Sequence, residues 1–266
     1  MNAAANASQF TSAPHGDAVQ SISTALLGSW RTFALVFFSL CALVHNAISI
    51  PFVPRDRRLQ ARAVWLHAWC RFACRVLGIR VKTHGSIPST GLLVSNHLSY
   101  LDIVVLSLIR PCVFVAKRDV ANWPLFGWLS HAAGAIFVDR ERRFSSNKAV
   151  DLIRKAIAGG SVVVLFPEGT SSDGSTVLPF KSALLESAVQ LRCPITPASV
   201  DYSLDDGSVA DEVCYWRDMT LVPHVLNLLF KREIRATYSF LSAKIRNSNR
   251  KEIARELRDE IVSMRS

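Results

Sequence analysis

Residues 96–102 read Asn-His-Leu-Ser-Tyr-Leu-Asp and stand between two apolar runs. The run before them, residues 91–95, has the length and composition of a buried strand, and the run after them, residues 103–109, has those of a buried helix. The stretch is therefore predicted to be a strand-to-helix turn. It lies at the carboxyl end of a strand, where α/β folds place their functional groups.

Two side chains of this turn carry the chemistry, His97 and Asp102. A histidine gives and takes protons near neutral pH, and a carboxylate five residues on can fold back towards its ring. A carboxylate on one ring nitrogen fixes the tautomer and leaves the other nitrogen free as a general base. A plainer interpretation is a helix capping box formed by Ser99 and Asp102, with His97 as an ordinary turn residue. The spacing alone leaves both open.

Composition limits the class of protein. The 266 residues suffice for one sizeable α/β domain, or for one domain with an appendage. Lys and Arg number 31 against 21 for Asp and Glu, and the resulting charge of +10 indicates an anionic partner. The hydrophobic fraction of 50% favours a lipid surface over nucleic acid. The six cysteines contain no CxxC pair, so we expect reduced packing residues, with neither a disulfide framework nor a metal site.

The N-terminal part divides into a tail and a membrane-associating segment. Residues 1–24 are rich in small polar residues and are predicted to be a disordered tail. Residues 25–78 are predicted to form a two-helix membrane-associating motif, because residues 32–44 carry no charge and residues 58–77 mix tryptophans with arginines. A secretory signal and a core helix pair are the alternatives, and spanning and half-submerged placements both stay open. The arginines that follow the apolar run favour a cytoplasmic position for the rest of the chain.

Residues 79–266 are predicted to be one domain of the size of a catalytic domain, with an α/β fold, a mostly parallel sheet flanked by helices. Apolar strand-like runs alternate with helical stretches. The predicted strands are 91–95, 112–116, 135–138, 162–166, 195–200 and 234–240, and the predicted helices are 101–109, 123–132, 145–158 and 181–192.

Polar residues follow three of the predicted strands. Lys117 and Arg140 could place two cations at the same edge of the sheet. The alternative is that the basic residues around Arg140 form a solvated surface loop. The loop at 166–174 holds a carboxylate, hydroxyls and glycines, and such a loop can cradle an anion or bind a polyol head group. A plain turn with Glu168 on the surface is its alternative. The chain has no GxxxxGK[ST] motif, so nothing indicates nucleotide hydrolysis.

Four blocks in this order resemble the glycerolipid acyltransferase family, the 1-acylglycerol-3-phosphate acyltransferases and their relatives. They are Asn96-His97-x-Ser99-x-x-Asp102, Gly134-x-x-Phe137-Val138-Asp139-Arg140, Phe166-Pro167-Glu168-Gly169-Thr170 and the proline-bounded strand at 194–200. The Trp-Pro-Leu-Phe-Gly-Trp at 123–128 is also similar to the family, and the resemblance covers roughly residues 60–240.

The resemblance implies acyl transfer from a thioester of coenzyme A or acyl carrier protein to a lysolipid hydroxyl, with no further cofactor. His97 would be the general base, and Asp102 would orient its ring. The protein would lie at the inner membrane, with its catalytic domain on the cytoplasmic side. No GxSxG motif is present, so no acyl-enzyme is expected. The implied substrate-binding residues are Asn96, Ser99, Lys117, Arg140, Glu168, Gly169 and Thr170.

One position departs from the family pattern. Members that form phosphatidic acid usually carry Arg directly after Glu-Gly-Thr, where this chain has Ser171. Serine cannot replace a bidentate guanidinium clamp for phosphate. The Ser-Ser-Asp-Gly variant, with 216–219 and Pro223-His224, resembles the branch that acylates lyso-ornithine lipid, a zwitterionic acceptor without phosphate. Conversion of 1-acylglycerol-3-phosphate to phosphatidic acid and acylation of lyso-ornithine lipid both stay open.

Other classes make different predictions. A non-catalytic lipid-binding or scaffold protein would lose His97 or Asp102, and both are present. A hydrolase of the same thioesters would use water as the acceptor, and its product would be free fatty acid. A nucleic-acid binder needs basic and aromatic residues interleaved on an exposed surface, whereas here they gather in the apolar N-terminal region.

Overall fold

The computed structural model of the chain describes residues 15–123, 126–138 and 147–265. Its strands are β1 (Ile79–His84), β2 (Gly91–Ser95), β3 (Cys112–Lys117), β4 (Ile136–Val138), β5 (Val162–Leu165), β6 (Ile195–Ser203) and β7 (Ile234–Phe240). Its α-helices are α1 (His15–Ser49), α2 (Arg58–Leu77), α3 (Leu101–Ile109), α4 (Phe126–Ala132), α5 (Asn147–Ala158), α6 (Glu186–Leu191), α7 (Val209–Glu212), α8 (Leu221–Phe230) and α9 (Arg250–Arg265).

In the described residues the strands form one sheet in the order β1-β7-β6-β2-β5-β3-β4. All neighbouring strands are parallel except β6 and β7, which are antiparallel. This confirms the predicted α/β fold with a mostly parallel, helix-flanked sheet. Because β2 lies between β6 and β5, the turn after β2 meets the carboxyl ends of two neighbours, the arrangement that builds a site in open α/β sheets.

Both faces of the sheet are covered, which explains why its central strands are continuous apolar runs. Every residue of β2 and β5 is buried. Alternate side chains enter two cores: Leu93 and Val164 pack with α2, α3 and α8, whereas Leu92 and Val163 pack with α5, α6 and α9. The site therefore stands on a rigid, fully packed centre.

The predicted secondary-structure elements differ from those of the structure in several places. The strand β1 was not predicted, because only Ile79 of its six residues is buried and no alternation marks it. Helices α8 and α9 were also not predicted. The predicted helix at 123–132 begins at Phe126. Helix α1 begins at His15, so the last ten residues of the predicted tail are helical, and residues 1–14 lie outside the described part.

The two N-terminal helices pack against each other through tryptophans of α2. The indole Nε1 of Trp65 donates to the carbonyl oxygen of Ala42 at 3.0 Å, and that of Trp69 donates to Ser39 Oγ at 3.2 Å. The other face of α1 is apolar and exposed, with Trp30, Phe33 and Phe37 among its side chains. In the described residues, one stretch, Ser23–Phe52, is long and apolar enough to cross a bilayer.

Candidate active site

The turn after β2 brings His97 and Asp102 together. The Nδ1 atom of His97 lies 2.7 Å from Asp102 Oδ2, and the two side chains are 20% and 0% exposed. An ionised carboxylate only accepts hydrogen bonds, so Nδ1 carries the proton and donates it. The other ring nitrogen, Nε2, then keeps a free lone pair, which is the form a general base requires.

The Asp102 carboxylate is held from several directions. Its Oδ2 also accepts the backbone N–H groups of Leu98 at 2.7 Å and Ser99 at 3.1 Å, and its Oδ1 accepts the hydroxyl of Tyr202 at 2.7 Å. It stands in the first turn of α3, where the helix dipole favours a negative charge. The carboxylate is thereby fixed as an acceptor facing the histidine.

The capping interpretation describes part of the same arrangement. Asp102 reaches back to the N–H of Ser99, as the acid of a capping box does. The reciprocal bond is missing, since Ser99 Oγ is buried without a hydrogen-bond partner among the described residues. Fastening the turn and orienting His97 are therefore done by one carboxylate.

Aromatic stacking fixes the plane of the His97 ring. Phe166, which directly follows β5, stacks on the imidazole with ring centroids 4.2 Å apart and planes 16° from parallel. Phe114 of β3 continues the stack, 6.5 Å beyond Phe166. Three adjacent strands, β2, β5 and β3, thus each supply one ring.

The segment after β5 grips the backbone of His97 on both sides. Glu168 is buried, and its Oε1 accepts the N–H of His97 at 2.8 Å while its Oε2 accepts the N–H of Leu178 at 3.1 Å. The N–H of Ser172 donates to the carbonyl oxygen of His97 at 3.0 Å. Burial raises the pKa of Glu168 to about 7, although its two amide hydrogen bonds favour the charged form. These contacts hold the turn that carries His97 in place.

Asn96 extends the pairing of β2 with β6 by one residue through its side chain. Its Nδ2 donates to the carbonyl oxygen of Val200 at 3.0 Å, and its Oδ1 accepts the N–H of Val200 at 2.8 Å. The amide imitates a backbone unit, so the main chain can leave the sheet towards His97 without leaving buried polar groups of β6 unpaired.

The remaining predicted binding residues surround this centre. Lys117 ends β3, is about half exposed and forms an ion pair with Asp119. Gly169 has φ +74° and permits the sharp turn after Glu168, and Thr170 is exposed beside it. Arg140 lies outside the described residues. Substrate contact by these residues, and by Asn96, Ser99 and Glu168, stays a prediction.

Ser171, the position that departs from the family pattern, ties a later segment to the site. Its hydroxyl donates to the carbonyl oxygen of Tyr215, whose own N–H donates to the carbonyl oxygen of Leu98 at 2.8 Å. The ring of Tyr215 meets Tyr100 of the catalytic turn edge-on, with centroids 5.5 Å apart. The segment around Tyr215 is thereby fixed beside the turn that carries His97.

Tyr202 is a site residue that the sequence analysis missed. It lies on β6 beyond the predicted end of that strand at 200, and 100 residues separate it from Asp102. No local pattern marks such a partner. The hydroxyl of Tyr202 reaches the carboxylate of Asp102 because β6 pairs with β2 in the sheet.

Replacing Tyr202 with phenylalanine is expected to lower kcat about tenfold and to change KM for both substrates less than twofold. The hydroxyl touches Asp102, not the reacting atoms, so its loss loosens the carboxylate that orients His97. The buried Oδ1 also loses a partner, which costs about 1–3 kcal/mol of folding stability. Initial rates and urea unfolding in detergent measure the two effects.

The matched control is Tyr238→Phe, which removes another fully buried hydroxyl, from β7. Tyr238 is not among the groups that donate to Asp102. An equal fall in kcat for both variants would show a general effect of core hydroxyls and would contradict a positioning role for Tyr202.

Sequence comparisons place the chain among known proteins. A model of the acyltransferase family matches residues 78–201. The chain is 34% identical over 253 residues to the lyso-ornithine lipid O-acyltransferase of Rhizobium meliloti, covering 86% of this chain and 85% of that protein. It is 31% identical over 143 residues to the 1-acyl-sn-glycerol-3-phosphate acyltransferase of Neisseria gonorrhoeae, covering 50% of this chain and 56% of that protein.

A solved structure has the same fold. The crystal structure of the 1-acyl-sn-glycerophosphate acyltransferase from Thermotoga maritima matches with a TM-score of 0.63 at 17% identity. The match covers 93% of this chain and 98% of that one. The similarity therefore includes the two N-terminal helices as well as the sheet.

Proposed function

The chain belongs to the acyltransferase family, and from this membership we propose that it is a membrane-bound O-acyltransferase that esterifies the hydroxyl of lyso-ornithine lipid. The relatives confirm the family and the lysolipid acyltransferase class that the four sequence blocks imply. The exposed apolar face of α1, together with relatives of membrane lipid synthesis, indicates membrane association.

The observation that carries the mechanism is the hydrogen bond between His97 Nδ1 and Asp102, which leaves Nε2 free. Nε2 takes the proton of the acceptor hydroxyl while the oxygen attacks the thioester carbonyl carbon. The new C–O bond forms, the C–S bond breaks, and the leaving thiolate takes the proton from the imidazolium. Asp102 stabilises the positive charge of the ring between these two transfers.

The acceptor is inferred from Ser171 and from the relatives. The Rhizobium meliloti relative acylates lyso-ornithine lipid by its name, and it matches most of this chain. Ser171 uses its hydroxyl to hold Tyr215, so the residue is built into the site wall where a phosphate clamp would otherwise stand. The ornithine head group is zwitterionic and contains no phosphate that needs such a clamp.

Acylation of 1-acylglycerol-3-phosphate is the second candidate. The Neisseria gonorrhoeae relative is named for that acceptor, and it matches half of this chain. Lys117 supplies one cation at the end of β3, and Arg140 is the predicted second. These two cations would have to bind the phosphate without an arginine at 171.

Product analysis tests the proposal. The purified protein in detergent receives a labelled acyl-thioester with lyso-ornithine lipid or with lysophosphatidic acid, and the products are identified by mass spectrometry. Ornithine lipid that carries the labelled acyl chain is the expected product. Phosphatidic acid alone would favour the second candidate, and free fatty acid alone would contradict acyl transfer.

Replacing Ser171 with arginine is expected to lower the rate with lyso-ornithine lipid about tenfold. The larger side chain cannot keep the hydrogen bond to the carbonyl of Tyr215, and it adds a charge beside the head-group site. The ratio of the rates with the two acceptors measures the effect. The control is Thr176→Arg, which adds the same charge at an exposed position of the same loop. Equal changes in the ratio for both variants would contradict a specific role for Ser171.

Several features complete the proposal. The donor is a fatty acyl-thioester, with coenzyme A or acyl carrier protein as the thiol, and no other cofactor takes part. The chain acts at the inner membrane with residues 79–266 on the cytoplasmic side, as the arginines after the apolar run favour. Residues 25–78 form the membrane-associating motif. Buried side chains of α2 such as Leu66 and Cys70 join this motif to the core of the catalytic domain.

A further inference from the structure

Helix α8 presents an apolar stripe that the described residues leave largely exposed. Val222, Leu226 and Phe230 are 63%, 41% and 41% exposed, and their four-residue spacing aligns them along the helix. The opposite face, with His224, Leu228 and Leu229, is buried in the domain. No charged residue occurs between Leu221 and Phe230. Asn227 is exposed beside the stripe, which otherwise consists of apolar side chains. An exposed apolar stripe of this kind indicates a partner on that face.

One end of the stripe contacts α1. The ring of Phe230 packs directly on Gly28, where even a β-carbon would overlap it. The nearly buried guanidinium of Arg31 donates to the carbonyl oxygens of Leu229, Lys231 and Arg232, which satisfies the end of α8 with a charge from α1. The two helices therefore form a fixed junction.

Apolar side chains of α1 are exposed on the face of the helix opposite Gly28 and Arg31. Leu26, Trp30 and Phe33 are each more than 60% exposed, and each is within two residues of Gly28 or Arg31 in the sequence. Exposed apolar side chains therefore occur on both helices that meet at Phe230 and Gly28. The fixed junction keeps α8 beside α1 when α1 enters a lipid surface.

We propose that α8 is a second membrane-contact element and that its stripe enters the interfacial region of an anionic bilayer. The inference rests on the proposed membrane association of α1 and extends it to the catalytic domain. Arg232, exposed immediately after the helix, supplies a positive charge at the edge of the stripe for lipid phosphates. An apolar stripe with a basic edge is the composition of helices that lie in this region.

The position of α8 also connects the membrane surface to the catalytic turn. His224, on the buried face of α8, accepts the hydroxyl of Tyr100 on Nδ1 at 2.8 Å and donates from Nε2 to the carbonyl oxygen of Cys214 at 2.9 Å. Tyr100 stands between His97 and Asp102 in the sequence. One helix diameter, about 10–12 Å, therefore separates the proposed lipid contact from a residue of the catalytic turn.

Spin labelling tests this surface directly. A nitroxide is attached to Leu226→Cys in a Cys41→Ser background, because Cys41 is exposed and the other five cysteines are buried. The full chain is bound to phosphatidylglycerol vesicles, and collision rates with oxygen and with a water-soluble nickel complex report the depth of the label. Phe37→Cys on α1 is the membrane reference, and Val262→Cys on α9, with a similar exposed fraction to Leu226, is the matched control.

The expected result is a label at Leu226 that favours oxygen at least threefold over the label at Val262, as the label at Phe37 does. A water-exposed label at Leu226 beside a lipid-exposed label at Phe37 would overturn this inference and leave the attachment by α1 intact. Water exposure at all three sites would contradict membrane association itself. Spin–spin broadening between Leu226 labels would indicate a second copy of the chain on this face and would also overturn the inference.

A charged residue introduced into the stripe tests whether the stripe contributes to membrane binding. Leu226→Asp is expected to lower partitioning onto phosphatidylglycerol vesicles about tenfold, whereas Val262→Asp leaves it unchanged. Both variants are expected to retain the wild-type rate with substrates dissolved in detergent micelles, which separates lipid contact from folding. Unchanged partitioning of Leu226→Asp would count against a membrane role for α8.

Discussion

Replacing His97 with alanine is expected to reduce acyl transfer about a thousandfold or more. General base catalysis by a positioned side chain contributes roughly 10²–10⁴-fold, and His97 Nε2 is the base that the geometry of the turn leaves free. The fold should survive, because the ring is partly exposed and the turn is held through its backbone by Glu168 and Ser172. Initial rates with a labelled acyl-thioester measure the loss.

Circular dichroism and vesicle flotation of the same variant check that the fold and membrane association remain. His84→Ala is the matched control, since His84 is exposed at the end of β1, an edge strand of the sheet. Its rate is expected to equal that of the wild type. A normal rate for His97→Ala would remove the mechanism, whatever acceptor the protein uses.

Replacing Asp102 with asparagine is expected to lower kcat by roughly 10²–10⁴-fold with a smaller effect on KM. The amide oxygen can still accept from the turn, and the Nδ2 group can donate to the hydroxyl of Tyr202, so the local structure can persist. The neutral side chain cannot stabilise the imidazolium that forms when His97 takes the proton. Steady-state kinetics and urea unfolding together separate this effect from a loss of fold.

The double variant Asp102→Asn/Tyr202→Phe sharpens the test. Tyr202 acts through the carboxylate, so removing its hydroxyl should no longer change kcat once the carboxylate is an amide. A further tenfold fall in the double variant would mean that the two residues act independently. That outcome would contradict the role assigned to Tyr202, while the role of Asp102 would stand on the single variant.

The sequence predicted the parts of the site that are close in the chain. His97 and Asp102 are five residues apart, and a turn between two apolar runs suffices to bring them together. The partners that fix them are distant: Glu168 is 71 residues from His97, and Val200 is 104 residues from Asn96. Their contacts depend on the order of the strands, and alternating apolar runs do not specify that order.

The same distinction separates the predicted elements from the missed ones. The strands β2 and β7 and the helix α3 have the predicted bounds. The strand β2 and the helix α3 are apolar runs with clear ends, and β7 alternates buried and partly buried residues. The edge strand β1 has mostly exposed side chains and left no pattern. The ten residues of α8 include only two polar ones, His224 and Asn227, and these do not form a polar face that would reveal a helical period. The exposed apolar stripe became evident only in the structure.

Glu168 and Ser172 hydrogen-bond the backbone on both sides of His97, so the active site can form only after their segment has folded. A nascent chain that has emerged only as far as α5 already contains His97 and Asp102, yet it lacks the segment that clamps the turn between them. Closing a loop of about 70 residues carries an entropic cost that parallel strand pairing must first repay, which makes such steps slow. Catalytic competence therefore arrives late in folding, after β5 has docked beside β2. We therefore expect chains that lack the segment after β5 to show no acyl transfer.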